Sequence, residues 1–220
     1  MESKYIIPII ISQKVKRFKL LKKMEELEQY KRESVPYSPQ EPYYKGQDIN
    51  SLNKIKRNPI HVVLDNLRSA YNVGSIFRTA DAGAVEHIYL CGMSAHPPHK
   101  KIEKTALGAH EYIPWSYYEK TKDCVTDLKK KSIPIIAIEI TDTSKPCIDY
   151  IWPSPVAVVF GNEVMGIQER ILKIADAIIH IPMYGYKNTI NVATSFGIIL
   201  YDILYKWKKL NQQRFNFLSF

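Results

Sequence analysis

The sequence predicts an α/β protein with a mostly parallel sheet flanked by helices. Two observations carry that expectation. Short, β-branched apolar runs recur from residue 58 to about residue 182, and helix-like segments separate them. The runs are also apolar throughout, not alternating, as strands buried on both faces are. At 220 residues, with 45% hydrophobic and 24% charged, the chain holds enough apolar material for one such domain plus an extension.

The elements follow in order. HVVLD at 61–65 is the first strand, and a helix-like segment runs from about Asn72 to Ala82. HIYLCG at 87–92 is the second strand. A helix around 120–131 then precedes IPIIAIEI at 133–140. VAVVFG at 156–161 is the fourth strand, and a helix from about Gln168 to Ala175 leads into AIIHIP at 177–182. The last helix runs from about Ile190 to Trp207.

Residues 1–57 read differently. Val15, Phe18, Leu21, Met24 and Leu27 recur every three positions among Lys14, Lys16, Arg17, Lys19, Lys22 and Lys23, which is the pattern of an amphipathic helix. Its basic half comes first and its acidic half, with Glu25, Glu26 and Glu28, comes second, against the preference of the helix dipole. Pro36, Pro39 and Pro42 then make a linker, with Tyr37, Tyr43 and Tyr44 between them. The expected division is a basic, helical N-terminal extension at 1–57 and a domain at 58–220.

Charge supports that division. The chain has 31 Lys and Arg against 22 Asp and Glu, a net charge of +9. Residues 1–57 hold 13 of the basic residues and 7 of the acidic ones, so about a quarter of the chain carries two thirds of the surplus. An anionic partner such as nucleic acid fits this asymmetry. A solvated helix face fits it about as well, and a membrane-surface helix less well.

Several classes drop out. No apolar run approaches the ~18–20 residues of a membrane span, and Pro8 and the basic stretch after it do not fit a secretory leader. Cys91, Cys124 and Cys147 fit neither a disulfide framework nor a zinc site, and buried free thiols in a reducing cytoplasm are expected. His96 and His99, in HPPHK, lack metal-ligand spacing and read as an exposed loop. No metal is expected. The chain has no nucleophile–base signature, no phosphate-binding P-loop and no G-x-G-x-x-G after a strand.

Sites in parallel sheets gather at the carboxyl ends of strands. There the sequence places Asn66, Arg68, Asn72 and Arg78 after the first strand, Gly161, Asn162 and Glu163 after the fourth, and Met183 through Asn191 after the last. Read alone, Asn72 and Asn191 are as well explained as helix caps, and Glu163 as an acid at a helix start.

Together these residues resemble the SpoU (TrmH-type) RNA ribose methyltransferases of the SPOUT superfamily. Asn72, Gly74, Ile76, Arg78, Thr79 and Ala80 match N-x-G-x-I-x-R-T-A. Gly161, Asn162, Glu163 and Gly166 match the second motif, and IHIPMYGYKNTINVATSFGI resembles the third. Lys104, Gly108 and Ala109 fit the K-x-x-x-G-A segment between them. The resemblance covers about residues 58–207, in family order. Thr189 stands where serine is usual, and Ala193 where a second serine is common.

The resemblance implies a C-terminal deep trefoil knot, a homodimer with the last helix in its interface, and S-adenosylmethionine as cofactor. It implies transfer of a methyl group to a ribose 2′-hydroxyl of tRNA or rRNA. Carried over residue by residue, the catalytic set is Arg78, Asn72, Glu163 and Asn191. The cofactor contacts are Gly161, Ile181 and Ile190, with Met183, Ala193 and Ile138 nearby. A non-catalytic RNA-binding or assembly protein on a degenerate knot fold is the alternative.

Overall fold

A computed structural model describes residues 56–209. The amphipathic helix and proline-rich linker expected before residue 56 lie outside the described residues. Seven strands form one sheet: β1 (Asn58–Asp65), β2 (Val85–Cys91), β3 (Trp115–Tyr118), β4 (Ile135–Ile138), β5 (Lys145–Pro146), β6 (Val156–Phe160) and β7 (Ala177–His180). Their spatial order is β3-β2-β1-β6-β4-β7-β5, and every pairing is parallel. The helices are α1 (Ala70–Ala82), α2 (Lys100–Ala106), α3 (Ala109–Tyr112), α4 (Thr121–Lys130), α5 (Glu169–Leu172) and α6 (Val192–Lys206).

The strands are apolar throughout because both faces are covered. Ile60, Val62, Leu64, Ile88, Leu90, Val158 and Phe160 point to the face packed by α1 and α6, where Phe160 and Phe196 meet edge to face with centroids 5.7 Å apart. Val63, Cys91, Ala137 and Val159 point the other way, toward Cys124, Val125 and Leu128 of α4. The three cysteines are buried free thiols. No helix among the described residues is long and apolar enough to cross a membrane.

The sequence reading missed five elements, among them β3 and a 3-10 helix at Cys147–Asp149. α2 is another: His99 lies in the exposed loop expected there and is also the N-cap of α2, its side chain accepting from the Lys101 N–H at 3.2 Å. α2 packs closely on α1 at Gly74, where a Cβ would come within 2.6 Å of the Ile102 carbonyl oxygen. His96 stacks on Trp115 of β3, with centroids 6.5 Å apart. α3 and the two-residue edge strand β5 are the others.

Position is what matters for the site. β1, β4, β6 and β7 all end at the same edge of the sheet, since they are parallel. α6 follows β7 but returns to pack against α1. Residues 181–191 therefore pass over the carboxyl ends of the central strands.

Candidate active site

The site begins with a helix cap. Ser69 caps α1, its hydroxyl accepting from the Asn72 N–H at 3.3 Å. In a capping box the third helical residue would be an acid reaching back to the cap's own N–H. That residue is Asn72, and the acid comes from elsewhere: Glu163, after β6, accepts through Oε1 from the Ser69 N–H at 3.3 Å. The same oxygen accepts from Asn72 Nδ2 at 3.0 Å. Asn72 Oδ1 in turn accepts from Asn191 Nδ2 at 3.1 Å. Asn191 caps α6, taking the Ala193 and Thr194 N–H groups on its Oδ1 at 3.0 and 3.3 Å. The cap reading of Asn191 is thus correct but incomplete, because the other end of its amide reaches Asn72.

One hydrogen-bonded chain, Glu163–Asn72–Asn191, thus joins three segments that lie up to 119 residues apart. Each segment comes from a different strand end.

The loop bearing Glu163 is shaped by its own backbone. Gly161 lies against Gly166 and Ile167 so closely that a Cβ would sit 2.3 Å from both the Gly166 carbonyl carbon and the Ile167 nitrogen. Only glycine fits that approach. Asn162 Oδ1 accepts from the Val164 and Met165 N–H groups, and its Nδ2 donates to the Asn66 carbonyl at 2.9 Å. Beneath the loop lies Asp65, fully buried at the end of β1. It accepts from Thr121 Oγ1 at 2.6 Å, from Gln168 Nε2 at 2.7 Å and from the Gln168 N–H at 2.9 Å. A buried carboxylate needs such donors, and here they tie β1 to the start of α4 and to the approach to α5.

Next to this chain is a cleft of about 390 Å³. Ile138, Gly161, Ile181, Met183 and Ile190 line it, as do Glu163 and Asn191. Glu139 and His180 line it too, and sequence reasoning missed both. Ser144 Oγ contacts His180 Nδ1 at 3.0 Å. Ala193 is not on the cleft. It borders a groove between α1 and α6 together with Asn72, Ser75, Thr79 and Asn191.

Arg78 also stands apart from the hydrogen-bonded chain. It is exposed, six residues beyond Asn72 on α1, which is roughly 9 Å of helix rise. It lines a further hollow with Ser75, Thr79, Lys104, Thr105 and Tyr201. Ser75 and Thr79 belong to both the groove and this hollow, so the two adjoin.

The fold and site define the class first: a parallel-sheet protein with an apolar, amide-rimmed ligand cleft at its strand ends. Comparison with known proteins gives the family. The SpoU rRNA methylase family matches residues 59–201, and the chain belongs to that family. It is 34% identical over 145 residues to a tRNA (guanosine(18)-2′-O)-methyltransferase of Aquifex aeolicus, covering 64% of this chain and 66% of that protein. The AdoMet-bound rRNA methyltransferase of Sinorhizobium meliloti superposes with a TM-score of 0.64 at 27% identity, covering 70% of this chain and 59% of that one. The SpoU methyltransferase AviRb of Streptomyces viridochromogenes, solved with AdoMet, gives a TM-score of 0.65 at 20% identity, covering 74% and 65%. This likeness is one of fold. The chain spans between 59% and 66% of the length of these three relatives.

Proposed function

We propose that the chain is an S-adenosylmethionine-dependent methyltransferase acting on a ribose 2′-hydroxyl of tRNA or rRNA. The observation that carries this is the Glu163–Asn72–Asn191 chain at the lip of the cleft. It fixes three separate motif segments around one point.

The cleft suits the cofactor. Its volume of about 390 Å³ lies within the usual range for small-ligand pockets, and the walls from Ile138, Ile181, Met183 and Ile190 suit a flat, apolar adenine. The close backbone approach at Gly161 leaves no room for a side chain at its edge. Gly161, Ile181 and Ile190 would hold the cofactor, with Ile138 and Met183 beside them. Bound there, it supplies an electrophilic methyl group.

The protein's own groups do the rest. Asn72, held on both sides of its amide, fixes the position of a ribose relative to the cleft. Glu163 and Asn191 hold Asn72 and keep the loops in register. A guanidinium such as that of Arg78 has no lone pair to act as a simple base. Its role is to hold an RNA phosphate and stabilise the developing alkoxide, with the proton passing to that phosphate or to water.

Arg78 and the cleft lie on different hollows of one chain, which supports a homodimer. Ile198, Tyr201 and Tyr205 form an exposed stripe on α6, 39%, 44% and 69% accessible. The opposite stripe of α6, with Phe196, Ile199, Leu200 and Ile203, is buried in the core. A second copy seated on the exposed stripe would come against Tyr201 and so against the hollow of Arg78. The passage of residues 181–191 over the strand ends, and the return of α6 to α1, support the deep trefoil knot. Tyr184 and Tyr186, 91% and 100% exposed beside the cleft, offer rings for RNA bases. The basic segment 1–57 is the expected RNA-capture element, and the cytoplasm the expected location.

The test is mass spectrometry of tRNA and rRNA incubated with the protein and S-adenosylmethionine. One 2′-O-methylated ribose is expected. Absence of ribose methylation on every cellular tRNA and rRNA would sink the proposal in favour of a non-catalytic RNA-binding protein.

A further inference from the structure

The cleft is acidic within a basic protein. The chain carries a net +9, yet among the described residues no Lys or Arg lines the cleft, and the charged residues there are Glu139 and Glu163. Glu163 is engaged by Ser69 and Asn72. Glu139, just past the end of β4, is held differently. Its Oε1 accepts from the Ile140 N–H and its Oε2 from the Ile167 N–H, each at 3.0 Å. Oε2 also lies where a Cβ on Gly166 would come within 2.5 Å of it. Both contacts are from backbone, so the carboxylate is fixed at the wall without a cation to neutralise it among the described residues.

We infer that Glu139 makes the cleft selective for charge, favouring the cationic methyl donor over its neutral product. The inference rests on the functional reading above. In methyl transfer the S–CH₃ bond breaks with its electrons going to sulfur. The O–CH₃ bond forms at the ribose, and the hydroxyl proton leaves for the phosphate or water. The cofactor therefore enters as a sulfonium and leaves as a neutral thioether, differing by one charge and one methyl group. A fixed carboxylate in a partly enclosed, low-dielectric cleft responds to that charge and hardly to the methyl. Apolar walls and backbone contacts, by contrast, bind both forms alike. Glu139 thus separates substrate from product where shape cannot, so that spent cofactor is readily displaced by fresh donor.

Isothermal titration calorimetry with S-adenosylmethionine and S-adenosylhomocysteine, on wild type and Glu139→Gln, tests this. Glu139→Gln should weaken the sulfonium ligand about five- to tenfold and the thioether less than twofold. Glu139→Asp, which keeps the charge, should retain most of the preference. In the wild type the ratio of the two affinities should shrink as salt is raised, because screening weakens only the charged ligand. Equal loss for both ligands would mean that Glu139 merely holds Gly166 and Ile167 in place, and would overturn the inference. If Glu139→Gln fails to fold, the wild-type salt series decides, and a ratio that ignores salt overturns it. Wild-type protein that binds both ligands equally refutes the inference alone. Wild-type protein that binds neither refutes the functional reading as well.

Discussion

The cleft at the strand ends and the hollow along α1 stand in electrostatic contrast. Among the described residues, the first is lined by Glu139 and Glu163 and by no Lys or Arg. The second is lined there by Arg78 and Lys104, with hydroxyls from Ser75, Thr79 and Thr105, and by no described carboxylate. The groove that adjoins the hollow shares Asn191 with the cleft. A cationic donor and a polyanionic acceptor would meet in the proposed reaction, and the molecule offers each a surface of opposite sign. The net charge of the chain averages this away. What matters is that the two signs are kept apart, with neutral amides between them.

The largest break in that arrangement is Arg78→Ala. If Arg78 faces the acceptor as proposed, turnover should fall by at least about 100-fold, the usual scale for losing a group that stabilises developing charge. Arg78 is exposed and forms no hydrogen bond or ion pair among the described residues, so folding should be unaffected. Calorimetric affinity for S-adenosylmethionine should stay within about twofold. A variant that turns over normally would remove Arg78 from the chemistry.

Next in size is the amide bridge. Asn191→Ala should cost about 1 kcal/mol of stability, because it removes the cap of α6, and it should also free Asn72. Turnover should fall roughly tenfold beyond any change in cofactor affinity, as expected when a positioning contact loosens. Thermal melts and single-turnover kinetics separate the two effects. Loss of stability with normal chemistry would return Asn191 to being a cap alone.

The amide bridge also shows how far the sequence could be read. The five long or β-branched strand segments were legible, because a strand buried on both faces must be apolar throughout. α2 was not, since only Ile102 and Ala106 are buried in it and its cap is a histidine, which is seldom a capping residue. β3 was not, because WSYY is a short edge strand with an exposed tyrosine and carries little apolar signal. Asn72, Glu163 and Asn191 were legible as motif residues, but their partnership was not: it depends on strand order, which places segments about 90 to 120 residues apart side by side. Glu139 and Asp65 were invisible for the same reason. Each acts through backbone groups that only the fold brings near, Ile167 for one and Gln168 for the other.

A smaller effect should come from Lys104→Ala, at the outer rim of the basic hollow. Lys104 is exposed on α2 and has no ion pair among the described residues. If it contacts a phosphate, its loss should weaken RNA binding several-fold and lower the slope of log K against log salt by about one. Cofactor binding should not change. Filter binding over a salt series reads the slope, and an unchanged slope would leave Arg78 as the sole cation of that hollow in contact with RNA.

The effect with the least bearing on ligand binding lies at the other end of the strands, away from both hollows. His61 and His87 sit on neighbouring strands, and Tyr89 packs on the His87 ring with centroids 4.4 Å apart. Burial lowers both imidazoles from 6.5 to about 4, helped for His61 by His87 and for both by Lys131. The folded protein therefore keeps them neutral where the unfolded chain is protonated. Between pH 6.5 and 4 the unfolded state binds more protons, so their contribution to stability is complete above pH 6.5 and is lost as pH falls toward 4. Both rings are partly exposed, so solvent screening limits the pair to on the order of 1–3 kcal/mol, a drop of several degrees in Tm. Melting curves across that window should show the drop, and His61→Gln with His87→Gln should flatten it. S-adenosylmethionine affinity should follow neither change, because these histidines lie off the cleft. If affinity tracks the same transition, the two ends of the sheet are coupled and the charge separation at its carboxyl edge is not a local property.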